Sequence, residues 1–154
     1  MKGEVVAIHI AAEAGAPMQS IAETWAVAGG GLSGDRYQLG IGFYSDTPTD
    51  PGARELTLIE QETLDAVFTE TGIQLAPNEH RRNVTTRGIN LDPLLGQRFR
   101  IGEVTCEGVR LCPPCNHLEE ITGKPVLKPL VHRGGIRARI VASGWVRVGD
   151  SIEE

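Results

Sequence analysis

The 154 residues are 40% apolar and 23% charged, enough to bury a core behind a wetted surface, so wholesale disorder is excluded and one domain over residues 1–154 is expected. The formal charge of −5 is unevenly divided: residues 1–80 hold 3 Lys or Arg against 12 Asp or Glu, and residues 81–154 hold 12 against 8. An acidic chain is poorly suited to coating nucleic acid, whereas a local set of basic residues suits a small anion.

Residues 1–12 carry one lysine and interrupt their apolar run with Glu4, unlike a signal peptide, and no stretch reaches the length of a membrane span. A cytoplasmic location follows as the expectation, with reduced cysteines. Residues 4–10 alternate apolar side chains at Val6, Ile8 and Ile10 and read as a strand. Glycines at 29, 30, 31, 34, 40 and 42 then mark a turn-rich region, and residues 45–52, with Pro48 and Pro51, a surface loop.

One main helix is expected over residues 57–71. Leu64, Val67, Phe68 and Thr71 fall at helical spacing, Thr57 and Glu60 have the pattern of a capping box, and Gly72 supplies a stop. Short extended runs follow at 83–86, 97–101, 104–109, 137–142 and 145–148, separated by tight turns. This spacing predicts a mostly β, compact barrel-like fold with one main helix and a few helical turns; without βαβ alternation, Rossmann and TIM architectures are disfavoured.

Almost all the basic residues after position 80 are arginines, whose planar forks match phosphate and carboxylate. The segment from His132 to Arg137, with Arg133, Gly134 and Gly135, sets backbone amides beside guanidinium groups and has the composition of a phosphate-binding turn; an ordinary glycine turn has the same composition. The three cysteines, Cys106, Cys112 and Cys115, are too few and too odd in number for a disulfide scaffold. Cys112-Pro113-Pro114-Cys115 leaves three chemistries open. A thioredoxin-like pair would need a βαβ scaffold; a zinc site could draw on Cys112, Cys115, His117 and His132; a single thiol could act as nucleophile or soft-metal ligand, its ionisation favoured by nearby arginines.

Six motifs in order, Gly34-Asp35-Arg36-Tyr37, Glu55-Leu56-Thr57-Leu58-Ile59-Glu60, His80-Arg81-Arg82-Asn83-Val84-Thr85, the stretch from Leu94 to Gly102, the Cys112–Cys115 tetrapeptide and Val146-Arg147-Val148-Gly149-Asp150, resemble the MOSC family, the C-terminal domain of molybdenum cofactor sulfurases. The resemblance implies a β-barrel fold and a reactive cysteine, here Cys115, that carries sulfur or ligates molybdenum. It implies Arg81 and Asn83 as cofactor-binding residues and the molybdenum cofactor (molybdopterin) as ligand; with Arg36 of the first motif and with Arg133, Arg137 and Arg139 from the arginine bias after residue 80, these form the expected cofactor-binding set. The extra N-terminal β-barrel domain of the larger, amidoxime-reducing relatives has no counterpart in these residues.

Three functions compete on this reading. The first is cofactor binding with oxo transfer, N-hydroxylated compounds being one substrate class and a redox protein the partner. The second is a persulfide carrier loaded on Cys115 by a separate cysteine desulfurase, whose pyridoxal phosphate would belong to that partner. The third is a zinc-bound structural module. Neither nucleic acid nor a membrane is an expected partner.

Overall fold

The computed structural model describes residues 2–154. In chain order the elements are β1 (Lys2–Ile10), β2 (Gln19–Ile21), β3 (Glu23–Val27), β4 (Gly31–Leu32), β5 (Leu56–Glu60), α1 (Gln61–Thr71), β6 (Val84–Arg87), β7 (Arg98–Ile101), β8 (Val104–Leu111), α2 (Asn116–Thr122), β9 (Ile136–Ala142), β10 (Gly144–Arg147) and β11 (Ser151–Glu153). Strands pair in the order β11-β7-β8-β9-β5-β6-β1, and a further pairing of β11 with β1 closes them into a seven-stranded barrel. Every pairing around it is antiparallel except β5 with β6, whose crossover contains α1. A second small sheet, β10-β3-β4, is built from the chain beside the barrel.

Alternation along each strand sorts side chains to the two sides of the wall. Leu56 and Leu58 of β5, Phe99 and Ile101 of β7, Val104 and Cys106 of β8, and Ile136, Ala138 and Ile140 of β9 fill the barrel interior. Between Leu56 and Leu58, Thr57 faces outward, opposite Arg137 of β9. Ile59, also outside, joins Leu64 and Val67 of α1 and Leu118, Val126 and Leu130 in a second apolar cluster that seats both helices on the outer wall. The interior is thus packed with side chains, and the outer face of β5, β9 and β8 is left to carry a site.

The helix expected from residue 57 begins at Gln61. Thr57 and Glu60 form no capping box, because both lie in β5 and the residue at the helix N-cap, Glu60, makes no side-chain cap bond. Burial of Leu56 and Leu58 inside the barrel imposes period two where the capping pattern invites a helix. The stop at Gly72 is where it was expected: φ is 74° and its amide donates to the Phe68 carbonyl. Phe68 itself is 50% exposed, so α1 packs through Leu64 and Val67 alone, a narrower stripe than the spacing implies.

Candidate functional site

A cleft of about 320 Å³ opens against the outer wall of the barrel, at the lower end of the roughly 300–1,000 Å³ typical of cofactor and small-molecule sites. Thr57 and Arg137 form its floor. The long connection between β4 and β5 covers one side with Arg36, Tyr37, Phe43, Tyr44, Thr49 and Arg54, and the segment entering α2 supplies Cys112, Pro113, Cys115 and His117. Six arginines line it, at positions 36, 54, 81, 82, 110 and 137, with no aspartate or glutamate among the lining residues.

The covering loop is tied down at its start. Asp35, buried, accepts from the Ala11 amide at 3.0 Å, from the Tyr37 amide and from Arg36 Nη1 at 2.9 Å, while the Arg36 amide donates to the Ala11 carbonyl. These charge-assisted bonds fix the Arg36 guanidinium, which also lies over the Tyr37 ring at 4.7 Å. Further along, Phe43 stacks on His117 with ring centroids 3.7 Å apart and planes 9° from parallel, joining the loop to α2.

Arg81 and Arg82 point opposite ways although adjacent. Arg82 is buried without a carboxylate partner, and its guanidinium donates to the carbonyls of Gly134 (2.9 Å), Cys112 (3.1 Å), Pro113 and His80. It clamps the Cys112 segment to the start of β9. Arg81 occupies left-handed backbone, φ 61°, a conformation costly for a non-glycine residue. Its Nη1 donates to the Ala16 carbonyl at 2.7 Å, but Nη2, also buried, has no partner. Arg54 Nε and Thr49 Oγ1 are likewise buried without partners, so three orphaned polar groups belong to cleft-lining residues.

All three cysteines are free. Cys115 is half-buried, lines the cleft and precedes α2 in extended backbone (φ −139°), its carbonyl accepting from the Leu118 amide. The Tyr44 phenol has its pKa raised to about 12, by burial first and then by the neighbouring Cys115 side chain. A cleft that combines a thiol, a phenol close to it and guanidinium groups of which Arg81 has an unpartnered N–H can hold an anion while presenting sulfur to it.

A family model, the MOSC domain, matches residues 30–153, which include every cleft residue named above. The chain belongs to the MOSC domain family. The YuaD protein from Bacillus subtilis superposes with a TM-score of 0.81 at 18% identity, covering 99% of this chain and 95% of that one. YiiM from Geobacillus stearothermophilus gives a TM-score of 0.74 at 13% identity over 98% and 74% of the two chains. YiiM from Escherichia coli gives 0.67 at 19% identity over 99% and 69%. Among curated proteins none matches.

Within this MOSC domain, Arg36, Arg81, Arg137 and Cys115 come together in the cleft, and the other three of the expected set lie elsewhere. Asn83 spends its side chain on the fold: Oδ1 accepts from the Thr57 amide and hydroxyl, and Nδ2 donates to the His9 carbonyl. Arg133 pairs with Glu70 at 2.6 Å and Arg139 with Glu107 at 3.1 Å. The glycines of the 132–137 segment allow close backbone packing. A Cβ at Gly135 would strike the Leu58 carbonyl, and the Gly135 carbonyl accepts from Cys112 N–H. The zinc reading is corrected too: among the described residues no three His, Cys, Asp or Glu side chains gather to hold a metal. Arg54, Tyr44 and Phe43 escape the sequence reading, since nothing local marks a loop that folds over a wall.

Behind the cleft, His80 is fully buried, its Nδ1 accepting from the Arg82 amide and its Nε2 lying 3.1 Å from the Thr85 hydroxyl. Burial, then Arg82 and His9, push its pKa down to about 3 from 6.5. The folded state thus binds fewer protons than the unfolded one between these values, and stability is lost as pH falls from 6.5 towards 3, by about 1.4 kcal/mol per pH unit. Thermal melts are expected to show this acid sensitivity in the wild type and a flatter profile in His80→Gln. Equal slopes in the two would remove His80 as the cause.

Proposed function

We propose that this MOSC domain binds a molybdenum cofactor in the arginine-lined cleft, with Cys115 as the protein's sulfur ligand to the metal, and that it acts in oxo transfer. The observation that supports this reading is the union in one cleft of the half-exposed Cys115 thiol with six arginines of which only Arg36 meets a carboxylate, that of Asp35, while Arg81 Nη2 has no partner. A buried guanidinium N–H left unpaired costs free energy that an anionic ligand recovers, and thiolate sulfur is a soft donor suited to a thiophilic metal. The residues therefore fit the group.

Arg36 and Arg81 would take the cofactor's phosphate, being fixed by Asp35 and by the Ala16 carbonyl, respectively. Cys115 would hold the metal; when bound, the cofactor supplies a two-electron centre able to accept or give an oxygen atom. Tyr44, beside the Cys115 side chain, is placed to keep the sulfur oriented. The Phe43–His117 stack narrows access from solvent. N-hydroxylated compounds are the first substrate class to test, with a separate redox protein as electron source.

Metal analysis of the protein purified from a host that makes the cofactor tests the reading. Near-stoichiometric molybdenum, lost in Arg81→Gln, is the expected result. A protein that holds no molybdenum but accepts a persulfide on Cys115 from a cysteine desulfurase would overturn it in favour of a sulfur carrier, with pyridoxal phosphate on the desulfurase.

A further inference from the structure

Apart from Arg82, whose guanidinium is taken up by backbone carbonyls, the cleft arginines fall into two groups. Arg81 has Arg36 and the Asp35 carboxylate as its charged neighbours, whereas Arg54 has Arg137 and Arg110; Tyr37 stands near both. The second group is assembled from three separate parts of the chain. Arg54 ends the covering loop, Arg110 lies on β8 and Arg137 on β9.

Arg110 and Arg137 are direct cross-strand partners. Like charges opposite one another destabilise an antiparallel pair, and this pair exists only because of a bulge between Gly108 and Arg110. Regular pairing onward from Gly108–Ala138 would set Arg110 opposite Ile136, whose side chain is in the barrel core. The bulge instead turns Arg110 to the outer face beside Arg137.

No acid offsets the cluster within the cleft. Arg137 Nη1 donates to the Ala53 carbonyl at 3.3 Å and Arg54 Nη2 to the Thr47 carbonyl at 3.4 Å, and Arg54 Nε and the Thr49 hydroxyl remain buried without partners. Burial, followed by Arg137 and Arg110, lowers the Arg54 pKa, the direction that three crowded cations produce.

We propose that Arg54, Arg110 and Arg137, with the Thr49 hydroxyl, form a second oxyanion subsite in the cleft, which takes a phosphate group carried by the substrate. Two guanidinium groups side by side on the barrel wall, a third from the covering loop and a hydroxyl suit a tetrahedral dianion better than a planar carboxylate. The substrate class is then a phosphorylated small molecule whose reacting end reaches towards Cys115. This rests on the cofactor reading for the contents of the Arg36–Arg81 end of the cleft.

Inorganic phosphate is the probe, titrated calorimetrically at low ionic strength into both cofactor-free and molybdenum-loaded protein. Arg110→Gln and Arg137→Gln are each expected to weaken phosphate about tenfold or more, with partial recovery in Arg110→Lys. The molybdenum-loaded wild type should still bind one phosphate, and Arg110→Gln should keep its molybdenum. Relief of the like-charge pair should raise the melting temperature of Arg110→Gln by about 1–3 °C in phosphate-free buffer, which also shows that the variant is folded. Unchanged phosphate affinity in both glutamine variants would overturn the proposal, as would loss of molybdenum from Arg110→Gln to the extent seen in Arg81→Gln, or acetate binding as tightly as phosphate. If the wild type carries no molybdenum, the cofactor reading fails by itself and the cofactor-free titrations still decide this one.

Discussion

Cys115→Ser is expected to abolish retention of molybdenum, or loading of persulfide, while leaving the melting temperature within about 2 °C of wild type. Cys106→Ser is expected to do the reverse. Cys115 is half-buried at the cleft and packs only at the edge of the outer apolar cluster, so exchanging sulfur for oxygen there removes chemistry and little packing. Cys106 lies in the barrel core on β8 with no exposed surface, and burial, then Glu55, raises its pKa to about 12. A serine hydroxyl at that position is desolvated at a cost of about 1–3 kcal/mol, which corresponds to a fall of roughly 3–10 °C in a chain of this size. Iodoacetamide labelling with peptide mapping supplies the matching kinetic readout: Cys115 should alkylate in the native protein and Cys106 only after denaturation. Labelling of Cys106 at the rate of Cys115, or full molybdenum or persulfide loading in Cys115→Ser, would defeat the assignment of chemistry to Cys115.

Why some residues of this cleft are readable from sequence and others are not follows from the range of the interactions that place them. The strands at 98–101 and 136–142 carry strict alternation, and their burial pattern is local information. Cys115, Arg36, Arg81 and Arg137 stand in or near recognisable motifs. Arg133 and Arg139 have the same composition around them, yet Glu70 and Glu107 neutralise them, and those partners lie 63 and 32 residues away in the chain. Arg110 is legible only as one of the many arginines after residue 80, because its outward turn depends on the bulge after Gly108, which no propensity announces. Thr57 offers a helix cap by pattern but takes a strand position, because its neighbours Leu56 and Leu58 are required inside the barrel. Local chemistry thus marks which residue types a site needs. Closure of the barrel decides which copies of those types arrive.

The Arg82 clamp carries the largest expected effect on stability. Its guanidinium is buried and makes four hydrogen bonds, all to carbonyls of three segments that meet behind the cleft: His80, Cys112–Pro113 and Gly134. Arg82→Met keeps much of the side chain's length and apolar contact but leaves those acceptors without their donor. Each unsatisfied buried acceptor costs about 1–3 kcal/mol, partly relieved where water enters, so a net loss of about 3 kcal/mol and a fall of roughly 10 °C in melting temperature are expected. The loss should have a local signature as well. Cys112 is held with 1% exposure by the Gly135 carbonyl on its amide and by Arg82 on its own carbonyl, and release of the second tie should raise its alkylation rate well below the melting temperature. Arg139→Met is the control: it breaks an ion pair to Glu107 whose arginine side chain is 41% exposed, and such pairs contribute less than about 1 kcal/mol. Equal melting temperatures in the two variants, or Cys112 still protected in Arg82→Met, would show that the cysteine segment is held by its prolines and not by the arginine behind it.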